Sequence, residues 1–502
     1  MIKHFRLAFL FLFMQLAHGD TQVNLGPKIG VLVINDKDAP NSWAYLAHLT
    51  EFFLDKEVKA IVILLEVGNG YFGYSQAFAI AKSIKDLKKI YKKPVIAYGE
   101  QWLAHSAYVV ACASDCIMAA PMCMLGHMTY GNNYIDKSEQ LIKEGIRITP
   151  VHAGKYKYQD DPDFKISDED LKRAQISVNE AWQNVISNII DLRPALKECK
   201  SSWVNGEIFI ASQIKNNNFY DKIGDKLDLQ NVTLQLINKQ NKKKFKLSDL
   251  EVVVKEPFLE LEKLEVSKDN KKTIAVVNAS QMLKWEDSNY YFQLFADLFY
   301  DTNILGIVIN INVYGANSGS GMYNLYTQIK KLKQITKKPV VAYIDCYAYS
   351  GGYWLACCAD YIIASPLADL GSVGYRWSRV DYTKYDVKNN ISYNPIASNE
   401  LGNIFNEHKT LTEKEQKIIQ DLINFRHLGF IAQIKDSRPK LKNNESEWKE
   451  AQVYNPYKAL NLGMIDKIGS SIDSVKYISK KEDLNNIKII FRTLNKPEEK
   501  RN

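Results

Sequence analysis

Ser350-Gly351-Gly352 is the segment of this chain whose residue types are best suited to chemistry. It lies between an apolar run at 339–344 and an apolar stretch at 353–360, so the serine is expected at a strand-to-helix turn. A serine placed there exposes its hydroxyl beside the free amides of a helix N-terminus. The two glycines that follow permit close backbone approach and unusual dihedrals. This is how a nucleophile and half of an oxyanion hole are built. The second donor would come from Tyr314-Gly315-Ala316-Asn317, just past the apolar run 304–311, because ligands collect at the carboxyl ends of strands in parallel sheets. By itself the Ser-Gly-Gly sequence serves equally well as a tight turn into a helix.

A serine nucleophile needs a base. His408 and His427 follow Ser350 but sit in no suggestive turn, and His105, His127 and His152 lack metal-ligand spacing. Lysine can serve where burial lowers its pKa toward neutrality. The candidate is Lys157 in Gly154-Lys155-Tyr156-Lys157, with Lys155 as the alternative base, since residues two apart on a strand share a face. The acidic run 160–163 would raise the lysine pKa if it lay alongside.

The two halves of this site belong to two copies of one unit. Residues 94–224 recur as 339–469 at an offset of 339 − 94 = 245, which aligns Tyr108 with Tyr353, Asp115 with Asp360, and Asp221 through Gly224 with Asp466 through Gly469. The matched positions differ where chemistry is expected. The second copy has Ser350-Gly351-Gly352 where the first has His105-Ser106-Ala107, and the first has Lys157 where the second has Gly402. One copy keeps the serine and the other keeps the lysine.

Each copy alternates short apolar runs with amphipathic stretches, which implies an α/β fold of parallel sheets with crossover helices. The runs 29–34, 60–65 and 94–98 read as strands of the first copy, and 273–277, 304–311 and 339–344 as those of the second. Between them, 43–53, 75–91, 290–300 and 323–335 read as helices. The expected division is a signal peptide at 1–19, a first repeat at 20–224, a connecting segment with some strand character at 225–270, a second repeat at 271–490 and a flexible tail at 491–502.

The chain of 502 residues is too long for one core, and its 46% hydrophobic content is that of a globular protein. A net charge of +8 comes with no nucleic-acid recognition motif, so no nucleic-acid partner is expected. At the N-terminus, Lys3, His4 and Arg6 precede an apolar stretch and Ala17-His18-Gly19, the pattern of a secretory signal peptide cleaved after Gly19, with an uncleaved anchor as the alternative. The sequons at Asn231, Asn278, Asn390 and Asn444 matter only along that route. The seven cysteines have no disulfide or zinc spacing and read as small buried hydrophobes, with Cys112 and Cys116 expected on one helix.

Taken together, the tandem repeat, Tyr349-Ser350-Gly351-Gly352-Tyr353-Trp354, Gly371-Ser372-Val373-Gly374 and Gly154-Lys155-Tyr156-Lys157 resemble signal peptide peptidase A, or protease IV, in its long tandem form. The resemblance covers roughly residues 27–475. It implies two ClpP/crotonase-like repeats, a ring-shaped homotetramer and no metal or cofactor. It also implies a Ser-Lys dyad of Ser350 and Lys157, with oxyanion amides from Gly351 and from Gly315 or Ala316. The substrates it implies are hydrophobic peptides such as cleaved signal peptides. The N-terminal signal peptide or anchor points to the secretory pathway or a membrane-associated place on the lumenal or extracytoplasmic side, and the basic balance to peripheral membrane association. The sequence departs from the family pattern at Ala316 and Tyr158. Those departures leave open a catalytically inactive peptide-binding relative, and the shared fold leaves open a crotonase-type acyl-CoA enzyme.

Overall fold

A computed structural model describes residues 27–35, 42–66, 73–159, 161–214, 218–242, 244–255, 272–284, 287–397, 401–441, 445–480 and 487–494. The expected signal peptide lies outside the described residues. The sheet of the first repeat is parallel throughout, in the order Glu251–Lys255, Lys28–Asn35, Val58–Glu66, Val95–Gly99, Cys116–Ala119, Lys222–Ile223. These strands read as continuous Val/Ile/Leu runs because helices cover both faces of the sheet.

The second sheet repeats the order with Ile487–Thr493, Lys272–Leu283, Ile304–Ala316 and Val340–Tyr349. It then forks. Tyr361–Ala364 pairs with the start of Val340–Tyr349, and Asp369–Gly371 pairs with its end, Tyr347 facing Asp369 and Tyr349 facing Gly371.

The offset of 245 holds in three dimensions. Helix Tyr74–Tyr91 corresponds end to end with Gly319–Thr336, and Asp168–Leu192 with Glu413–Ser437. The second pair starts from matching capping boxes: the Ser167 hydroxyl accepts from Asp170 N, and the Thr412 hydroxyl accepts from Glu415 N. Even left-handed backbone recurs, at Lys92 and Lys337, His105 and Ser350, and His127 and Ser372.

Three expectations from the sequence need correction. The segment 225–270, expected to be a connection with some strand character, contains helix Lys226–Gln240 and strand Glu251–Lys255, which pairs with Lys28–Asn35 as the outer strand of the first sheet. Its counterpart at the other end of the chain is Ile487–Thr493, which pairs with Lys272–Leu283, so the expected tail at 491–502 begins inside a strand. Sheet-edge pairing, invisible in local composition, decides both cases. Cys112 and Cys116 do not share a helix, because helix His105–Ala111 ends first and Cys116 opens the next strand.

The repeats stack in layers. Helices Ser42–Leu54 and Tyr74–Tyr91 of the first repeat lie between the two sheets, and one buried cluster joins Trp43, Phe78 and Ile84 to Val276, Val341 and Tyr343. A polar seam runs through this interface. Ser75 Oγ donates to the Asp345 carbonyl, Ser365 Oγ donates to the Ser75 carbonyl at 3.0 Å, and Ser470 Oγ donates to Asp86 at 3.2 Å. Because these groups are buried and mutually satisfied, they fix how the repeats sit as well as holding them together.

Each repeat also carries an Arg–Asp pair at the offset: Arg193–Asp221 at 3.0 Å and Arg438–Asp466 at 2.8 Å. Both aspartates accept a strand amide, from Ile117 and Ile362 respectively. The second pair is buried, at 4% and 8% exposure, whereas Asp221 is 39% exposed. Arg438→Ala is therefore expected to destabilise the protein by about 3–5 kcal/mol, because it strands a buried carboxylate. Arg193→Ala should cost much less, and thermal or urea unfolding of the two variants gives the comparison.

Candidate active site

Strand Arg147–Ala153 of the first repeat pairs antiparallel with Tyr375–Asp381 of the second, Ala153 opposite Tyr375 and Arg147 opposite Asp381. Immediately after Ala153 the chain turns at Gly154, whose φ of 100° only glycine adopts readily. The turn is held by Lys155 N and Tyr156 N, which donate to the Glu450 side chain and carbonyl, both at 2.9 Å. Lys155 and Lys157 therefore lie on a turn rather than a strand, and they diverge. Lys155 is exposed, with its ammonium 5.1 Å from the Tyr156 ring centroid. Lys157 reaches into the second repeat, where Nζ donates to the Ser372 carbonyl at 2.8 Å and to the Ser372 hydroxyl at 3.1 Å.

Burial pushes the Lys157 ammonium down to about 7, and the nearby Arg376 guanidinium acts in the same direction. The acidic run does not oppose this. Asp161 is ion-paired with Arg376, which also packs over the Tyr158 ring, and Asp160 lies outside the described residues.

Ser350 caps helix Gly351–Ala356 with φ 54° and ψ −111°, a conformation that costs a non-glycine residue about 1–3 kcal/mol. It is held there at both ends: its amide donates to the Gly371 carbonyl at 2.8 Å, and its carbonyl accepts from Trp354 N at 3.0 Å. Trp354 is in turn stacked on Phe430. Gly351 lies flush against the end of strand Ile304–Ala316, so that a Cβ there would sit 2.6 Å from Ala316 Cβ and 2.9 Å from Ala316 N. Ala316 does not take up a positive φ, so its departure from the family pattern introduces no backbone strain.

Ser350, Gly351, Gly315, Ala316, Lys157 and Ser372 all line one cavity of about 1590 Å³, whereas Lys155 does not. The histidines are committed elsewhere. His408 pairs with Asp386 at 2.7 Å, and His152 Nδ1 lies 3.0 Å from the Gly154 carbonyl oxygen. His427 is buried and hydrogen-bonded to the Val373 backbone, and burial lowers its pKa.

At the corresponding place in the first repeat, His105 occupies the position of Ser350 and His127 that of Ser372, with the same left-handed backbone. Rings fill the space: His105 stacks on Tyr74 at 4.3 Å, and its centroid lies 6.4 Å from that of His127. The first repeat thus has the same elbow without the hydroxyl. Sequence reasoning overlooked the part played by Ser372, although the same offset that singled out Ser350 against His105 sets Ser372 against His127.

The fold and this cleft define an α/β protein with duplicated parallel sheets whose cavity draws on both copies. The sequence model of peptidase family S49 matches residues 87–239 and 332–485, more than half of the chain and one segment in each repeat. The chain belongs to peptidase family S49, and the two segments give it the tandem organisation of the signal peptide peptidase A, or protease IV, type.

Among its relatives, Protease 4 of Haemophilus influenzae is 24% identical over 402 residues, 76% of this chain and 64% of that protein. Protease 4 of Salmonella typhi is 22% identical over 438 residues, 84% of this chain and 69% of that protein. Across the curated relatives the match spans about half to two-thirds of the relative's own length, from 48% to 69%. Among solved structures, a 1510-N membrane protease specific for a stomatin homolog from Pyrococcus horikoshii aligns at a TM-score of 0.27 with 15% identity, covering 44% of this chain and 93% of that one. A mutant ClpP1 from Listeria monocytogenes aligns at 0.27 with 13% identity, over 40% of this chain and 94% of that one.

The fit of Gly351 against Ala316 leaves no room for a methyl group. Gly351→Ala is expected to cost about 1–3 kcal/mol by overpacking, measured as a fall in the thermal midpoint. Gly315→Ala, which meets only Met282 Cε at 4.0 Å, should cost far less.

Proposed function

We propose that this protein is a serine endopeptidase whose dyad is divided between its repeats, with Ser350 as nucleophile and Lys157 as general base. The observation that carries the reading is the position of Lys157. A lysine of the first repeat is enclosed beside the strained serine turn of the second, in one cavity, with its amine brought to about 7.

In this reading neutral Lys157 takes the Ser350 proton as Oγ forms a bond to the peptide carbonyl carbon. The oxyanion rests on the amides of Gly351 and of Ala316 or Gly315. Collapse breaks the C–N bond as Lys157 returns the proton to the leaving amine, and water then hydrolyses the ester by the same route. Ser372 orients the amine. The substrate class that fits the family resemblance is hydrophobic peptides such as cleaved signal peptides.

The layered stacking supports a homo-oligomer, with the tetramer as the expected form. Helices of the first repeat pack on the sheet of the second, a head-to-tail contact that can continue from chain to chain until a ring closes. The reading includes a lumenal or extracytoplasmic location with peripheral membrane association. No helix among the described residues is long and apolar enough to cross a membrane.

The test is cleavage of an apolar, signal-peptide-like peptide by the full chain. Ser350→Ala and Lys157→Met should each lower kcat/KM by about 10²–10⁴-fold while the fold persists, as judged by circular dichroism. An inert wild type that still binds peptide would favour the scaffold reading, and normal cleavage by Lys157→Met would remove the lysine from the mechanism.

The pH profile follows from the depressed lysine. The base works only when deprotonated, so kcat/KM should rise with pH through about 7 and level off above it. A base with the ordinary lysine pKa would instead keep the rate rising to about pH 10.

A further inference from the structure

The cavity wall beside Ser350 carries a carboxyl group that the dyad does not use. Asp369 lines the same cavity as Ser350 and Lys157. It lies two residues before Gly371, whose carbonyl receives the Ser350 amide at 2.8 Å, and so falls on the same side of that strand. Its surroundings are Tyr349, which shares a side-chain hydrogen bond with it, and Tyr130 of the first repeat, whose hydroxyl feels its charge. Tyr130 and Tyr349 line the cavity as well. Burial raises the Asp369 carboxyl to about 7, and no lysine or arginine among the described residues forms an ion pair with it.

The fold does not require an acid at this position. At the offset of 245 the first repeat has Met124, which pairs with Trp102 as Asp369 pairs with Tyr347. The strand therefore accepts an apolar side chain where the second repeat holds a carboxyl that is costly to desolvate. A half-buried acid with no ion pair among the described residues, close to a nucleophile and facing open space, gains most from a cation brought by the substrate. Charge-assisted hydrogen bonds are roughly twice as strong as neutral ones.

We infer that Asp369 is a specificity residue. With Tyr349 and Tyr130 it forms a subsite for a basic side chain, lysine or arginine, borne by the peptide next to the scissile bond. The inference rests on the peptidase reading and narrows it: the preferred substrate is an apolar segment carrying a basic residue at the cut, rather than an apolar segment alone.

The experiment uses the full chain and a series of peptides on one apolar frame. Each of the three positions before the scissile bond, and the first after it, carries in turn leucine, lysine or arginine. Competition among them reads the ratio of kcat/KM for the basic peptide to that for its leucine parent. At one position the wild type should favour the basic peptide by about tenfold or more. Asp369→Asn and Asp369→Leu should each bring that ratio to one or below. Because the ratio is taken within a single variant, a change in overall activity does not disturb it, and the asparagine variant preserves shape should the leucine variant fold poorly. A wild type that cuts the leucine parent but shows no basic preference at any position overturns this inference and leaves the peptidase reading standing. The same holds for a preference that survives both substitutions. A wild type that cuts none of the peptides defeats both.

Discussion

The candidate site depends on one backbone pairing, the antiparallel ladder between 147–153 and 375–381. It carries the chain of the first repeat to the turn at Gly154 from which Lys157 enters the cavity lined by Ser350. Its hydrogen bonds fix the register to the residue, so that Gly154 turns where Lys157 can reach Ser372. A shift of one residue would put alternate side chains on the opposite face and point the lysine away. Interlocked serines and a shared apolar cluster between the sheets support the ladder from below. The geometry of the cleft is thus set by packing between the repeats as much as by either repeat alone.

Duplication explains the form of the cleft. Both copies build the same strained elbow, with left-handed backbone at His105 and Ser350 and again at His127 and Ser372. Such strain persists only where the surrounding structure over-determines it. Here the second copy anchors its elbow through the Gly371 carbonyl and Trp354. In the first copy the elbow carries a histidine in place of the hydroxyl, and aromatic rings pack the space around it. The proposed division of serine and lysine between the copies matches this difference: each copy lacks the residue that the other presents to the cavity.

Much of this was legible in the sequence, because a constant offset turns one chain into an alignment of two. The apolar runs gave the strands closest to Ser350, and the loss of complementary residues pointed to Ser350 and Lys157. Periodicity could not show where strands pair. Residues 251–255 look like part of a linker, and the tail expected from 491 cuts the strand 487–493, until both strands are seen to close the edges of the two sheets. Lys155 was separated only poorly from Lys157 for the same reason: a strand and a turn send residues two apart in different directions, and the sequence did not say which was present.

What the sequence determined by itself was the inventory: two α/β units, a serine on a glycine turn in one, and a lysine in the other. These follow from hydrophobic period, turn residues and self-similarity, all of which are local. The tertiary structure decided which lysine enters the cleft, that Ser372 receives it, that Ala316 is accommodated, and that a carboxyl at 369 faces the same space as Ser350. Each of those depends on the distance between segments far apart in the chain and on the exclusion of water between them. Only packing sets that distance, and the same burial brings a lysine and an aspartate each to about 7.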